Sequence, residues 1–448
     1  TLAEAKSLLH GVQQSMVSQQ VANHLAEQSR CSVCRKSRGR KGKHDIVFRT
    51  LFGKLTLESP RYYECGCQTN KRTQSKSPLA ELLKDRTAPE LLYLEAKFVS
   101  LMSYGLTVEL LGDLLPIGSA INTSSLHRNV ETIAERLESE LGEEAVQCIE
   151  GGPRDWALLP PPNPPLTVGL DEGYVHAKDQ KSRTEGWFEV IVGKSTPADG
   201  PSRCVAFVSK YDHKPKRRLF EVLKSQGLQM NQQVVFLSDG GDTVRALPMY
   251  LSPESEHWLD WFHITMRLTV MGQTLKSVAA EIPSTSGSDE EEKIPNAEAS
   301  QEMEKNLASL KWNLWHGNVY RALQLVEELE FDLEPITASS ESAKKLLKAV
   351  REFDQYITAN RVFIPNFGDR YRHGETISTA FVESTVNWVI SKRMVKRQQM
   401  RWTQRGAHLL LQLRTRALDR ILRNDFARWY PGMGGAANTE AQPEKWAA

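Results

Sequence analysis

Hydrophobic positions repeat at helical spacing in the first third of the chain. The segment "APELLYLEAKFVSLMSYG", residues 88–105, predicts a helix that stops at Gly105. "TVELLGDLL" predicts a short second helix capped by Thr107, and "NTSSLHRNVETIAERLESELGEE", residues 122–144, predicts a long third helix. A short helix, a turn and a helix with a polar first turn form the helix-turn-helix pattern, whose second helix can enter a major groove. A plain helical hairpin fits the same pattern equally well.

The pattern then changes from helices to strands. The stretch "PRDWALLPPPNPPLT" predicts a proline-rich linker, because repeated prolines prevent helix and stiffen the chain. Short apolar runs bounded by turn residues follow it in "LTVGLDEGYVHAK", "GWFEVIVGKS", "RCVAFVSKY", "QQVVFLSDGGD" and "EHWLDWFHI", with a helix in "PKRRLFEVLKSQG". We expect three consecutive strands followed by helix, strand, helix and strand. That is the element order of an RNase H-like α/β fold.

Far more chain lies between His263 and Glu383 than one crossover connection requires. The segment "IPSTSGSDEEEKIPNAEAS" is acidic and poor in apolar residues, which predicts a flexible loop. The segments around "LASLKWNLWHGNVYRALQLVEELE" and "SAKKLLKAVREFDQYITAN" predict a helical insertion. Within it, Trp312 and Trp315 favour helix packing over stacking on a displaced base.

Composition excludes several classes of protein. With 448 residues, of which 40% are hydrophobic, the chain can bury a sizeable core and form two or more domains. A mean hydropathy of -0.44 and the lack of any apolar run near the ~18 residues of a bilayer span argue against a membrane protein. No charged-then-apolar leader opens the sequence, so we expect a cytoplasmic protein.

Basic residues are concentrated in two regions, although the net charge is only +2. Residues 30–49 carry eight Lys or Arg, and residues 391–423 carry ten against a single acid, Asp419. Such patches can bind phosphates, although a solvated helical face has the same composition. The residues that we expect to contact DNA, including two on the third helix, are Arg35, Lys36, Arg38, Arg40, Lys41, Lys43, His127, Arg128, Lys392, Arg393, Lys396, Arg397 and Arg401.

Four of the six cysteines form two close pairs, "CSVC" and "CGC". Pairs at the two ends of a predicted hairpin can bring four thiolates to the corners of a tetrahedron, as structural zinc requires. We therefore expect a zinc-ribbon-like unit in which Cys31, Cys34, Cys65 and Cys67 bind Zn²⁺, the alternative being ordinary reduced thiols. Cys148 and Cys204 stand alone and are expected to be core residues or bystanders.

Acidic residues lie on or at the end of two of the predicted strands. Asp171 follows "TVGL" and Asp239 follows "VVFLS", while Glu383 is the only acid between Thr376 and Trp402. Phosphodiester cleavage by two divalent ions needs about three acids from separate elements, and Mg²⁺ prefers carboxylate oxygens. Singly, the aspartates also fit strand-end turn residues, and the glutamate fits a helix-dipole contact. With α-helical spacing, Glu383 and Asn387 share a face with Ile390 and Met394.

The combination of "LDEGYV", "FLSDGGD", "LDWFH" and "FVESTVNWVISKRMVKRQQMRW" resembles the DDE transposases of bacterial insertion sequences, in particular the ISKra-type family. The resemblance covers nearly the whole chain. It implies that Asp171, Asp239 and Glu383 are the catalytic metal ligands. "DWFH" is similar to an Asp/Cys-x-x-His signature of Mutator-like relatives, which implies that Asp260 and His263 support the site. Many DDE enzymes carry Lys or Arg seven residues after the glutamate, where this chain has Ile390.

The resemblance also implies function and partners. We expect a transposase that binds the terminal repeats of an insertion sequence, cuts DNA with two Mg²⁺ or Mn²⁺ ions, and joins the freed end to target double-stranded DNA. A homo-oligomer on DNA and a bacterial, nucleoid-associated location follow from the family. The alternatives are a DNA-binding regulator or inactive transposon remnant without catalysis, and a metal-dependent nuclease that does not join strands.

Neighbouring side chains on an extended strand point to opposite faces, so Asp171 and Glu172 are not expected to share a metal site. Glu172→Ala should therefore be tolerated far better than Asp171→Ala. Asn387, one helical turn after Glu383, is expected to orient its carboxylate, to touch phosphate, or to be a polar core residue.

These interpretations divide the chain into segments. The predicted segments are an N-terminal helix (1–30), a zinc-ribbon-like domain (31–75), a helix-turn-helix region (85–148), a proline-rich linker (149–165), the first part of an RNase H-like core (166–264), a helical insertion (265–375), the Glu-bearing helix with basic C-terminal helices (376–430) and a flexible tail (431–448).

Overall fold

The computed structural model describes residues 1–67, 74–118, 121–178, 186–245, 247–281, 293–395 and 400–433. The described chain divides into two compact units. Unit 1 contains residues 1–140 and the chain from residue 405 onward, and unit 2 contains residues 141–395 and 400–404. Within the described ranges, no helix combines the length and apolar character needed to cross a membrane.

Unit 1 combines helices with a three-stranded sheet of order β1-β2-β3. Its first elements are α1 (Leu2–Gln28), β1 (Arg40–Thr50), β2 (Gly53–Tyr63), β3 (Ser75–Lys76), α2 (Pro78–Leu82), α3 (Pro89–Leu101), α4 (Tyr104–Leu114) and α5 (Thr123–Glu140). Strands β1 and β2 form the antiparallel hairpin that the sequence predicts, with Thr50 opposite Gly53. The inner face of the hairpin packs Ile46, Leu55 and Leu57 against α1 and α2.

Helices α3, α4 and α5 match the three predicted helices, but two predicted boundaries were wrong. Gly105 does not end the first helix, because α3 ends at Leu101 and Gly105 lies inside α4. Thr107 does not cap the second helix. The hydroxyl of Ser103 accepts the backbone N–H of Leu106 and starts α4 earlier, so Thr107 is buried in the helix.

Unit 2 contains a five-stranded mixed sheet and a bundle of helices. Its elements are α6 (Pro153–Ala157), β4 (Leu166–His176), β5 (Trp187–Thr196), β6 (Arg203–Val208), α7 (Pro215–Ser225), β7 (Val234–Ser238), α8 (Asp242–Arg245), β8 (Ser255–Leu259), α9 (Trp261–Glu281), α10 (Lys293–Trp315), α11 (Val319–Leu333), α12 (Glu341–Asn360), α13 (Phe367–Arg372) and α14 (Ala380–Val386). A π-helix, Asn387–Val395, continues α14. The chain then enters α15 (Gln404–Leu418) and α16 (Leu422–Trp429).

The sheet has the strand order β6-β5-β4-β7-β8. Strand β5 is antiparallel to both of its neighbours, whereas β4, β7 and β8 run parallel. The five strands appear in the predicted order, so the mixed α/β class is confirmed. One strand was predicted too long, because β8 ends at Leu259 and the chain enters α9 at Trp261.

Two hydrophobic cores stabilise unit 2. One lies between α7 and the sheet face that carries Leu166, Val168, Leu170, Val234 and Phe236. The other is formed by the insertion helices α9 to α13. Helices therefore occupy the segment in which the sequence predicts them, and Trp315 packs against their core with its ring 5.0 Å from that of Trp261. Trp312 is instead exposed.

Two irregular segments contain helix where the sequence predicts none. The proline-rich linker holds the short helix α6, in which the Asp155 carboxylate accepts the backbone N–H of Gly152. The predicted acidic loop spans residues 282–300, but helix α10 already begins at Lys293. Residues 282–292 of that loop, and residues 434–448 of the predicted tail, lie outside the described residues.

Candidate active site

Parallel pairing of β4 with β7 brings two predicted acids together. Gly169 lies opposite Leu237, so the residues two positions further along are Asp171 and Asp239. Leu170 and Phe236 belong to the core beneath α7, and side chains alternate along a strand. Asp171 and Asp239 therefore occupy the opposite face of the sheet, Asp171 within β4 and Asp239 directly after β7.

Glu383 reaches the same face from α14. Two glycines on either side of Asp171 allow this helix to lie close to β4. A Cβ at Gly169 would lie 2.1 Å from Cγ2 of Val382, and one at Gly173 would lie 2.4 Å from Cδ1 of Ile390. Real Cβ atoms never approach other atoms so closely, so the helix can pack here only against glycine.

Electrostatics link the three acids. Burial raises the pKa of Asp171, and the negative charges of Asp239 and Glu383 raise it further. The backbone N–H of Glu172, which donates to Asp171 over 2.8 Å, and the charge of His263 oppose that rise. The structure thus brings Asp171, Asp239, Glu383 and His263 into one electrostatic neighbourhood.

Asp260 organises the side of the site opposite β4. Its buried carboxylate accepts the backbone N–H groups of Phe262 at 3.0 Å and of Thr379 at 2.9 Å, and also the Thr379 hydroxyl. Nδ1 of His263 lies 2.7 Å from the same carboxylate. The predicted pair is therefore close to the site, but His263 lies in the first turn of α9 and not on a strand. Since Thr379 directly precedes α14, Asp260 also fixes the start of the helix that carries Glu383.

The loop after Asp239 is held by several hydrogen bonds. The Ser238 hydroxyl accepts the N–H of Gly240, and its oxygen lies 2.8 Å from Nε2 of His257. Asp239 accepts the N–H of Gly241. Burial lowers the pKa of His257 to about 4, so the ring is neutral near pH 7. Gly240 has φ +87°, a conformation that favours glycine.

Glu172 is on the other face of β4, as predicted, but it still borders the site. A Cβ at Gly241 would lie 2.4 Å from Oε1 of Glu172 and 3.4 Å from Oδ1 of Asp239. Burial and the charge of Asp239 raise the pKa of Glu172 to about 7, and the Tyr174 hydroxyl donates to its carboxylate. Alternation along the strand separates Asp171 from Glu172, but both acids flank Asp239.

The segment after Glu383 differs from the expected α-helix. It becomes a π-helix at Asn387, whose i→i+5 hydrogen bonds give more residues per turn. The expected shared face is not observed, because Glu383 is exposed while Ile390 and Met394 are buried. Asn387 is half-buried.

The insertion contributes residues that the sequence pattern did not single out. Tyr356 on α12 has a buried hydroxyl, and the Arg267 guanidinium on α9 lies 4.3 Å from the centre of its ring. Oδ1 of Asn360, also on α12, would lie 2.5 Å from a Cβ at Gly240. Only one feature of the sequence could have suggested these residues, namely that they lie in the long segment between Asp239 and Glu383.

The donor set fits divalent cations. Carboxylate oxygens are the ligands that Mg²⁺ and Mn²⁺ prefer.

The four predicted cysteines form a compact cluster in unit 1. All four sulfur atoms lie within 4.8 Å of one another, and none forms a disulfide. Sγ of Cys31 lies 3.4 Å from Sγ of Cys67, and Sγ of Cys34 lies 3.4 Å from Sγ of Cys65. A tetrahedral site with Zn–S bonds of ~2.3 Å has S···S edges of ~3.8 Å, so the cluster is compatible with zinc. Backbone N–H groups of Cys34 and Val33 lower the pKa of Cys31 to about 6, which favours the thiolate that zinc binds.

The residues expected to contact DNA differ in exposure. Exposed side chains are those of Arg35, Lys36, Arg40, Lys41, Lys43, His127, Arg128, Lys392 and Arg401. Arg38 and Arg393 are buried, at 8% and 0% exposure, so their guanidinium groups do not present a surface to phosphate. Arg393 lies over the ring of Trp402, a contact that a sequence pattern does not reveal. Lys396 and Arg397 lie outside the described residues.

Comparisons with known proteins found a distant structural similarity and no match to a family model or a curated protein. No protein-family model matches the chain, and no curated protein matches it. Among solved structures, it is similar to a chain of the Drosophila P element transposase strand transfer complex, with 9% sequence identity and a TM-score of 0.30. That similarity covers 75% of this chain and 93% of the other. A TM-score this low does not establish a shared fold.

Proposed function

We propose that the chain is a DDE transposase of the ISKra type, with Asp171, Asp239 and Glu383 as its catalytic carboxylates. The observation that carries the proposal is the electrostatic neighbourhood of three acids that come from β4, from the end of β7 and from α14. If the aspartates were only turn residues at strand ends, no further acids would be needed near them. Support for an RNase H-like core comes from the sheet order β6-β5-β4-β7-β8 with only β5 antiparallel to its neighbours.

Two phosphoryl-transfer steps, a hydrolysis and then a transesterification, would use the same acids. In the first, a water oxygen attacks a phosphodiester at the element end, a P–O bond forms, and the bond to the 3′ oxygen breaks to leave a 3′ hydroxyl. In the second, that hydroxyl attacks a target phosphodiester, so one P–O bond forms as another breaks. Two divalent ions bound by the carboxylates would activate the attacking oxygen and stabilise the leaving oxygen.

The protein supplies position and charge in this scheme. Asp171 within β4 and Asp239 at the end of β7 would hold cations on neighbouring rigid strands, which keeps their carboxylates fixed relative to each other. Asp260 holds His263 and Thr379 by hydrogen bonds and so orients both the histidine and the start of α14. We assign Asp260 and His263 a supporting role, because neither needs to contact the reacting phosphate in order to act.

DNA recognition is assigned to unit 1. The cysteine cluster and its hairpin would form a zinc ribbon, and α4 and α5 a helix-turn-helix whose second helix exposes His127 and Arg128 in its second turn. Arg128 also borders a cavity of about 410 Å³ that is lined by one acid, Asp85, and by four further cationic residues, namely Arg49, Lys84, Arg86 and Arg136. A concave surface with five cations suits a phosphate backbone. A homo-oligomer would be needed if two element ends are cut together.

The test uses the full chain, zinc-loaded, with labelled DNA carrying the inverted repeats expected to flank the gene. In Mg²⁺ or Mn²⁺ the wild-type protein should cut this DNA and join it to a target plasmid. Asp171→Asn, Asp239→Asn and Glu383→Gln should each lose at least about 10³-fold in rate while still binding DNA. The matched control, Glu172→Gln, removes one neighbouring carboxylate charge and should retain far more activity than Asp171→Asn.

The same assay separates the alternatives. Binding without cutting identifies a DNA-binding regulator or an inactive remnant, and cutting without joining identifies a nuclease. Wild-type joining by any one of the three acid variants would refute the triad. Equal losses in Asp171→Asn and Glu172→Gln would refute the distinction between the two neighbouring acids.

A further inference from the structure

A tyrosine of the helical insertion has a hydroxyl with no partner in the described protein. Tyr356 lies on α12, and its oxygen is buried without a hydrogen bond to any described residue. Leaving a buried hydroxyl unpaired destabilises a protein, whereas phenylalanine fills the same space without that loss. A partner that arrives with the substrate would explain the hydroxyl.

Tyr356 lies near the part of the sheet that carries the catalytic acids. Burial raises the pKa of its hydroxyl, the charges of Asp239 and Asp260 raise it further, and the charge of Arg267 opposes them. One turn further along α12, the amide of Asn360 donates to the carbonyl of Tyr356 over 2.9 Å. The same amide lies against Gly240, the residue after Asp239, which fixes α12 beside that loop.

Arg267 approaches Tyr356 from α9. It follows His263 by four residues, so both side chains are on the same face of the helix. Its guanidinium lies over the Tyr356 ring, and in the described chain no carboxylate pairs with it. A cation held by an aromatic ring retains its N–H groups for an anion, and a guanidinium can donate two hydrogen bonds to one phosphate.

The cations that follow Glu383 are less suited to this task. Arg393 is fully buried, and Lys392 carries an ammonium, which lacks the planar pair of donors that a guanidinium offers to one phosphate. Ile390 carries no charge and is buried against β4. Arg267 is therefore the arginine of the helix that also carries His263, and its side chain is exposed.

We propose that Arg267 and Tyr356 form a phosphate clamp, in which the guanidinium and the hydroxyl donate hydrogen bonds to the non-bridging oxygens of the DNA phosphate that is cut. The clamp rests on the proposed function. It makes the helical insertion part of the substrate site. Because the hydroxyl is a donor and the guanidinium is a cation, both favour the phosphate as negative charge builds on it during displacement.

The first test removes only the hydroxyl. Tyr356→Phe should lower kcat for cleavage about 10- to 100-fold, the loss expected for a hydrogen bond to a charged group, with a smaller change in KM. Tyr320→Phe is the matched control, because Tyr320 is an exposed tyrosine of the same insertion, and it should leave kcat unchanged. In the absence of DNA, Tyr356→Phe should raise Tm by about 2 °C, because an unpaired buried hydroxyl has been removed.

The second test examines the charge. Binding is measured in Ca²⁺, to slow cleavage, on two duplexes that differ only by a neutral methylphosphonate at the phosphate that the wild-type protein cuts. Arg267→Ala should weaken binding of the normal duplex about 10-fold and of the methylphosphonate duplex less than about 2-fold, with partial recovery in Arg267→Lys. The control Arg321→Ala removes an exposed arginine elsewhere in the insertion. It should change the affinity for both duplexes by the same factor.

The outcomes distinguish the clamp from the proposed function. If wild type cuts DNA, Asp171→Asn does not, and Tyr356→Phe has wild-type kcat, the transposase assignment stands and the clamp is wrong. Equal effects of Arg267→Ala on the two duplexes would also refute the clamp. A fall in Tm for Tyr356→Phe would mean that the hydroxyl has a structural partner. If wild type neither binds nor cuts DNA, both proposals fail.

Discussion

Gly169→Ala tests whether close packing of α14 on β4 positions Glu383. The substitution adds one methyl group on the sheet face that carries Asp171. In the structure, that carbon would lie 2.1 Å from Cγ2 of Val382 and 2.8 Å from Cζ of Phe381. Val382 is fully buried, and β-branched side chains have few alternative rotamers, so the clash cannot be relieved by a simple rotation.

The magnitude follows from the distance. Carbon atoms pack at ~3.5 Å or more, so the methyl group and Val382 must separate by about 1.4 Å. Overpacking of this kind costs about 1–3 kcal/mol, and the lower flexibility of the unfolded alanine chain returns about 0.5–1 kcal/mol. We expect a net loss of about 2 kcal/mol in the free energy of unfolding. Because Val382 directly precedes Glu383, cleavage should fall about 10²-fold, as for a 1 Å misplacement.

Urea unfolding of the full chain measures stability, and cleavage of labelled DNA measures activity. The rescue variant Gly169→Ala/Val382→Ala removes Cγ2 of Val382, the atom that clashes with the new methyl group. The coupling energy between the two substitutions should be favourable by about 2 kcal/mol. Gly272→Ala is the matched control. No atom lies within 4 Å of a Cβ there, and Gly272 is inside helix α9, so this variant should be more stable by about 0.5–1 kcal/mol.

Wild-type free energy of unfolding and wild-type cleavage in Gly169→Ala would refute the role of this close packing in positioning Glu383. A coupling energy near zero between Gly169→Ala and Val382→Ala would also refute it, because the clash would then lie elsewhere. The stability measurements remain decisive even for a chain that proves to have no nuclease activity.

Three further predictions concern other parts of the molecule. Cys34→Ser should reduce bound zinc from about one ion per chain, measured by elemental analysis of purified protein, while Cys204→Ser should not. Asp260→Asn should lose about 3 kcal/mol in urea unfolding, because an amide NH₂ would face the N–H of Thr379; wild-type stability would contradict this. Glu95→Gln should stabilise unit 1 at pH 8 but not at pH 4. Burial raises the pKa of Glu95 to about 7, so the wild type loses up to about 3 kcal/mol as pH rises from the unfolded value near 4.5. A pH-independent difference would refute it.

The sequence predicted the parts of the site that depend on local pattern. Asp171 and Asp239 follow apolar runs, and such runs predict buried strands whose ends can meet at one sheet edge. The cysteine pairs flank a hairpin, so their convergence also follows from local order. In each case the residue type and a short repeat carry enough information to place the side chain.

The parts that were missed depend on contacts between distant segments. A basic residue such as Arg393 has the same local pattern whether it faces solvent or the ring of Trp402. His263 follows β8 without a turn signal, and the helix begins there because Asp260 accepts the N–H of Phe262. Tyr356 lies on a helix whose pattern indicates only packing. Its position beside Asp239 requires the three-dimensional fold of the insertion.

Two independent contacts fix the helix that carries Glu383. Packing of Val382 on Gly169 sets its distance from β4, and the bonds from Thr379 to Asp260 set its start relative to α9. If both contacts hold α14 in the same position, losing either one already displaces Glu383. Losing the second contact as well should then cause little further displacement. The activity losses of Gly169→Ala and Asp260→Asn should therefore be less than additive, although their stability losses, which arise from different atoms, should nearly add. Strictly additive activity losses would mean that Asp260 acts through His263 and not through α14.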